Sequence, residues 1–179
     1  MSSPATSMSV AVTETVVFLK ITGRANFTAS VSFKKLVQEM RQRGFTRFVI
    51  NLSECLIMDS TFLGVLASLI GNQNPADSQQ PPLTMELHSP NQRVMDLLDN
   101  LGILALFNIV PNSPGPAAAF EPLPPNGVRV DKIELARTSL EAHRTLIALN
   151  PNNVAKFKDV AQFLEEDLQR FEAEKKAGA

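Results

Sequence analysis

A chain of 179 residues has room for one domain with a substantial core and an appendage. Its net charge of −1 and pI near 6.1 give no electrostatic case for nucleic acid or an anionic membrane surface, and 44% hydrophobic residues place it among globular proteins. A single cysteine, Cys55, excludes an intramolecular disulfide and suits a reducing compartment. With no apolar run of transmembrane length and no signal-peptide pattern at the start, a soluble cytoplasmic protein is expected.

In chain order, residues 1–9 are rich in Ser, Thr and Ala and read as a mobile tail. Val10 to Thr22 holds two β-rich pieces, with Gly23 at a turn. Phe33, Leu36, Val37 and Met40 mark one face of a helix that Gly44 closes. Phe45 to Leu52 is apolar on both faces, as a central strand is, and is followed by a short polar loop. A helix then begins at Asp59, Ser60 and Thr61 and carries Leu63, Leu66, Ala67 and Ile70, with Gly71 expected just past its end. After a polar loop over residues 72–82, Leu83 to His88 reads as a strand. Ser89-Pro90 is ordered as N-cap and first helical position for the helix of Val94, Leu97, Leu98 and Leu101. Ile103 to Val110 contains a last strand. The alternation predicts an α/β fold, a mixed sheet with parallel strands and crossover helices over residues 10–110.

Six prolines lie in residues 111–127, which predicts a semi-extended linker. Beyond it, residues 128–179 form a C-terminal helical extension. Ile133, Ala136, Leu140, His143 and Ile147 make one stripe; Val154, Phe157, Ala161, Leu164, Leu168 and Phe171 make another, after a break at Asn150-Pro151. Two narrow stripes suit a helical hairpin or a coiled-coil pair, a separable module that also allows self-association. His143 on such a stripe reads as a packed or partly exposed histidine rather than a ligand.

The segment around Ser60 carries the functional signal. A hydroxyl at a helix start caps free amides, and the same position tolerates a phosphate because the helix dipole and those amides favour negative charge. Asn51-Leu52-Ser53, Met58-Asp59-Ser60-Thr61 and Leu63-Gly64-Val65 together resemble the signature of bacterial anti-sigma-factor antagonists, the STAS-domain family. The resemblance spans residues 8 to 112, with a second match over Ser89-Pro90, Leu97-Leu98, Leu101-Gly102-Ile103 and Leu106-Phe107. It implies a STAS-like sheet and a phosphoacceptor at Ser60, the Ser directly after the Asp. It also implies partners: a serine kinase that doubles as the anti-sigma factor and binds the unphosphorylated domain, and a serine phosphatase that restores that state. Asn26, Met58, Asp59, Thr61, Phe62 and Leu63 are then the neighbours of the acceptor and its partner contacts. The chain departs from the family at two of these. Phe62 stands where the family usually has Gly, placing a bulky ring beside the acceptor, and Asn26 stands where it often has Asp.

Enzyme chemistry finds little support. Two histidines and one cysteine form no spaced zinc set or His-based triad, and neither GxxxxGK[ST] nor GxGxxG is present. No enzyme, metal or cofactor is expected, and no nucleic-acid or membrane partner. The reading is a regulator in a phosphorylation-controlled partner switch; its alternatives are an unphosphorylated adaptor and a small-ligand-sensing module acting through the helical tail.

Overall fold

The computed structural model describes residues 5–71, 73, 79–124 and 130–178. Strands β1 (Ser7–Val12) and β2 (Val16–Ala25) form an antiparallel hairpin. Helix α1 (Phe27–Gln42) crosses to β3 (Arg47–Met58), and α2 (Ser60–Gly71) leads to β4 (Thr84–His88). Next come α3 (Gln92–Asn100), a 3₁₀ turn (Leu104–Leu106), β5 (Asn108–Val110) and β6 (Glu121–Pro122). Two helices end the chain, α4 (Lys132–Leu149) and α5 (Asn153–Ala177).

Among the described residues the sheet has six strands in the order β5-β4-β3-β2-β1-β6. β2, β3, β4 and β5 run parallel, while β1 pairs antiparallel with β2 and β6. The expected mixed α/β sheet with crossover helices is what the chain forms. β3 is central because it is apolar on both faces: Phe48, Ile50 and Leu52 enter the main core, and Val49, on the opposite side, is buried as well.

Several local expectations are corrected. The first strand begins at Ser7, inside the supposed tail of residues 1–9; residues 1–4 lie outside the described ones. The hairpin turns over Thr13 to Thr15, and Gly23 sits within β2 at φ 75°, between two irregularities in its pairing with β3. No polar loop follows Leu52. β3 continues to Met58 because β2 pairs alongside as far as Ala25↔Met58, and Cys55 and Met58 turn inward. Gly71 is the last residue of α2 rather than the one beyond it. Ser89 does not cap α3. It adopts φ 54° and accepts a hydrogen bond on Oγ from Ser113 N, while Asn91 Oδ1 accepts from Val94 N at 2.9 Å as the true cap. The proline-rich stretch is not wholly a linker: β6 lines the sheet edge against β1, where proline's missing N–H is tolerated, and Leu123 packs against the core. Residues 125–129 lie outside the described ones.

The largest correction concerns α4. It is half of a hairpin with α5, as its stripe suggests, and it also packs on the sheet domain. Ala142 and Leu146 belong to the main core cluster. Its small side chains let it lie close on α2: a Cβ added to Gly64 would stand 2.6 Å from the carbonyl oxygen of Ala142. Lys34 and Lys35 of α1 form ion pairs with Glu141 and Glu134. Asn153 Nδ2, at the α4–α5 junction, donates to the carbonyls of Leu101 and Leu146, both at 2.9 Å, and so ties the hairpin to the end of α3. The layers run from sheet to α1 and α2, then α4, then α5.

Candidate functional site

The site lies where β3 ends and α2 begins. Asp59 spans the gap between them. Its N–H donates to Ala25 O at 3.0 Å, which fixes the chain end to β2. Its carboxylate caps α2, with Oδ1 accepting from Phe62 N at 2.8 Å, and Oδ2 accepts from Phe27 N at 2.6 Å at the start of α1. One carboxylate therefore serves two helix starts. Burial pushes the Asp59 carboxyl above its ordinary value, and the amides of Phe62 and Phe27 and the charge of His143 pull against that shift. Asn26 caps α1, its Oδ1 accepting from Ala29 N at 3.0 Å.

Ser60 is the first residue of α2 and is half-buried. Its Oγ lies 2.9 Å from Nε2 of His143, which α4 brings across from 83 residues away. His143 is 4% exposed, meets the ring of Phe157 edge-on at 5.2 Å, and places Nδ1 at 2.7 Å from the carbonyl oxygen of Ser139. A carbonyl can only accept, so Nδ1 carries the proton; in the neutral ring Nε2 is then an acceptor and the Ser60 hydroxyl donates to it. Beside this pair opens a groove of about 600 Å³. Asp59, Ser60 and His143 form its polar end, and Leu135, Phe157, Val160, Leu164 and Phe171 of α4 and α5 supply apolar walls.

The structure places Asp59 and Ser60 on the groove, and Asn26 at the start of α1, outside the groove lining. It sends Met58, Thr61, Phe62 and Leu63 inward, at exposures of 2%, 6%, 0% and 1%. Of these four only Thr61 lines the groove. Met58, Phe62 and Leu63 are thus core residues rather than surface contacts. The ring of Phe62 does not crowd Ser60; it packs on Phe33 with centroids 5.1 Å apart. His143 and the groove are what the sequence reading missed. The available signal was Ser139, one turn before His143 on the same face, in a stripe whose small residues permit close approach.

Elsewhere, Cys55 is buried and its thiol is pushed up to about 11 by that burial, which makes it unreactive at neutral pH. His88 bridges Glu86 at 2.9 Å and Ser113 at 2.7 Å, and its hydrogen bond is the chief reason the Glu86 carboxyl lies below its usual value. Among the described residues, no three His, Cys, Asp or Glu side chains are placed to hold a metal, and no helix is long and apolar enough to cross a membrane.

The sheet order and the helix that starts at Ser60 correspond to a known domain. The STAS domain family matches residues 7–114, more than half of the chain, and the protein belongs to that family. Among solved structures it is similar to a candidate anti-sigma factor antagonist, TM1081, from Thermotoga maritima, at 23% identity and a TM-score of 0.46, over 56% of this chain and 83% of that one. It is also similar to the unphosphorylated form of the anti-sigma factor antagonist SpoIIAA, at 15% identity and a TM-score of 0.48, over 59% and 89% of the two chains. A search of curated proteins gave no match. The family assignment rests on the domain match; helices α4 and α5 lie beyond its last residue.

Proposed function

We propose that the protein is a regulatory binding module of the partner-switching kind, an anti-sigma-factor-antagonist-like regulator with Ser60 as phosphoacceptor. The observation that carries this reading is the placement of Ser60 in a STAS domain: it opens α2, half-exposed beside a groove, next to a carboxylate that already caps the helix. With Asp59 holding the cap, the Ser60 hydroxyl is not needed for it and is available for modification. A phosphate would add a charge of about −1.5 to −2 at this surface, enough to disrupt a docked partner through repulsion and desolvation. In this reading a serine kinase that doubles as the anti-sigma factor binds the unphosphorylated form, and a serine phosphatase restores that form. The working compartment is the cytoplasm, and the protein itself needs no catalytic turnover. Because α4 lies on α2, the partner meets a surface built from the α2 start together with α4 and α5, or it displaces α4.

The test is phosphosite mapping of the protein recovered from its native cells, alongside Ser60→Ala and Thr61→Ala. The expected result is phosphate on Ser60, lost in Ser60→Ala and kept in Thr61→Ala. Phosphate-free protein under all conditions, with a normal phenotype for Ser60→Ala, contradicts the reading.

The groove favours a second reading, small-ligand sensing through the helical tail. Native mass spectrometry of purified protein decides it by finding, or not finding, a non-covalent adduct. Self-association is a further proposal: α5 leaves Val160 and Phe163 exposed on one side, and light scattering would give a dimer mass if that face pairs.

A further inference from the structure

We propose that Ser60 and His143 form a proton-transfer pair that makes Ser60 an activated nucleophile toward tetrahedral phosphorus, with His143 as the catalytic base. The inference rests on the geometry of the pair and stands whether or not a partner switch operates. Three observations carry it. The carbonyl of Ser139 fixes the proton on Nδ1 of His143, so the free lone pair of Nε2 points at the Ser60 hydroxyl from 2.9 Å. This is nucleophile, base and orienting group in sequence, with a backbone carbonyl in the third place. Ser60 opens a twelve-residue helix, whose dipole favours negative charge on Oγ and on an oxygen bound near it. Finally, the pair faces a groove of about 600 Å³ with walls such as Leu135, Phe157 and Val160, so an electrophile with an apolar substituent can reach Oγ while α4 stays docked. Asp59 also lines that groove.

The probe is an alkyl fluorophosphonate carrying a biotin tag, used on the full chain. In the step, Ser60 Oγ forms a bond to phosphorus, the P–F bond breaks, fluoride leaves, and the Oγ proton passes to Nε2 of His143. The proton then goes to solvent, leaving a phosphonate ester on Ser60. The expected result is a single adduct on the peptide that contains Ser60, formed faster on folded than on denatured protein and absent in Ser60→Ala. His143→Gln, which keeps the side chain's bulk, should label about 100-fold more slowly, the low end of what a positioned base contributes. In His143→Ala, added imidazole should restore part of the rate, an effect that a purely structural histidine would not show. Equal labelling of wild type and His143→Gln, or wild-type labelling no faster than that of the denatured chain, overturns the proposal. If Ser60 carries phosphate in cells but the probe does not label it, the proposal fails while the partner switch stands.

Discussion

Helices α4 and α5 have similar amphipathic stripes and different fates. α4 lies between α2 and α5 and buries nine residues, including Ala142 and Leu146 in the main core; α5 fully buries only Asn153, at its first turn. Its contacts to α4 run through half-buried Phe157, Leu164, Leu168 and Phe171, with ion pairs Lys132–Glu174, Arg137–Glu172 and Arg144–Glu165 between exposed side chains. Exposed pairs of this kind are worth about 0–1 kcal/mol each. The difference lies less in how apolar each stripe is than in side-chain size. Ala136, Ser139, Ala142 and Thr145 let α4 approach α2 closely, and Gly64 receives it. That close approach is what brings His143 to Ser60.

Paired substitutions sharpen the contrast most. Leu146→Ala removes a fully buried side chain and should cost about 2–5 kcal/mol in urea unfolding, whereas Leu168→Ala, on the half-buried seam of α5, should cost about 1 kcal/mol. Equal costs would mean that α4 is no more part of the domain than α5. Next in size is Gly64→Ala. Helix propensity alone favours alanine by about 1 kcal/mol, but the added methyl would meet a backbone carbonyl that cannot move without shifting α4. A net loss of about 1–3 kcal/mol is expected, as for other overpacked sites, with faster amide exchange in α4. A stabilised variant would show that the helices are farther apart. Smallest is Phe163→Ser, at a residue 64% exposed, which should change stability by no more than about 0.5 kcal/mol. A larger loss would mean that a second chain covers this face of α5.

Where the sequence was legible, one local signal sufficed. The apolar residues from Phe48 to Leu52 announced a central strand, and the family-like words around Ser60 marked the start of α2, where the candidate site lies. What stayed hidden depended on contacts between distant segments. Ser53 and Glu54 interrupt the apolar run, so the continuation of β3 to Met58 shows only in its pairing with β2, beyond the reach of β4. Ser89-Pro90 has the order of a helix start, but Asn91 is also an N-cap residue type, and the link from Ser89 to Ser113 decides between them. The pattern of α4 gave its face correctly. It could not say which surface that face would cover, because a stripe of a given width can be buried by a partner helix, a second copy or the domain itself. Phe62 misled for the same reason: a position near Ser60 in sequence need not face it, and on a helix it turned into the core.

The central claim is that α4 completes the Ser60 site with a histidine whose proton is fixed on Nδ1. Nitrogen NMR of the full chain with 15N-labelled histidine tests it most directly, at a pH where the His143 ring is neutral. The account predicts a protonated Nδ1 and an unprotonated Nε2 for His143, with the Nε2 resonance shifted in Ser60→Ala. A ring protonated at Nε2, or one averaging between the two tautomers and indifferent to Ser60→Ala, would contradict it.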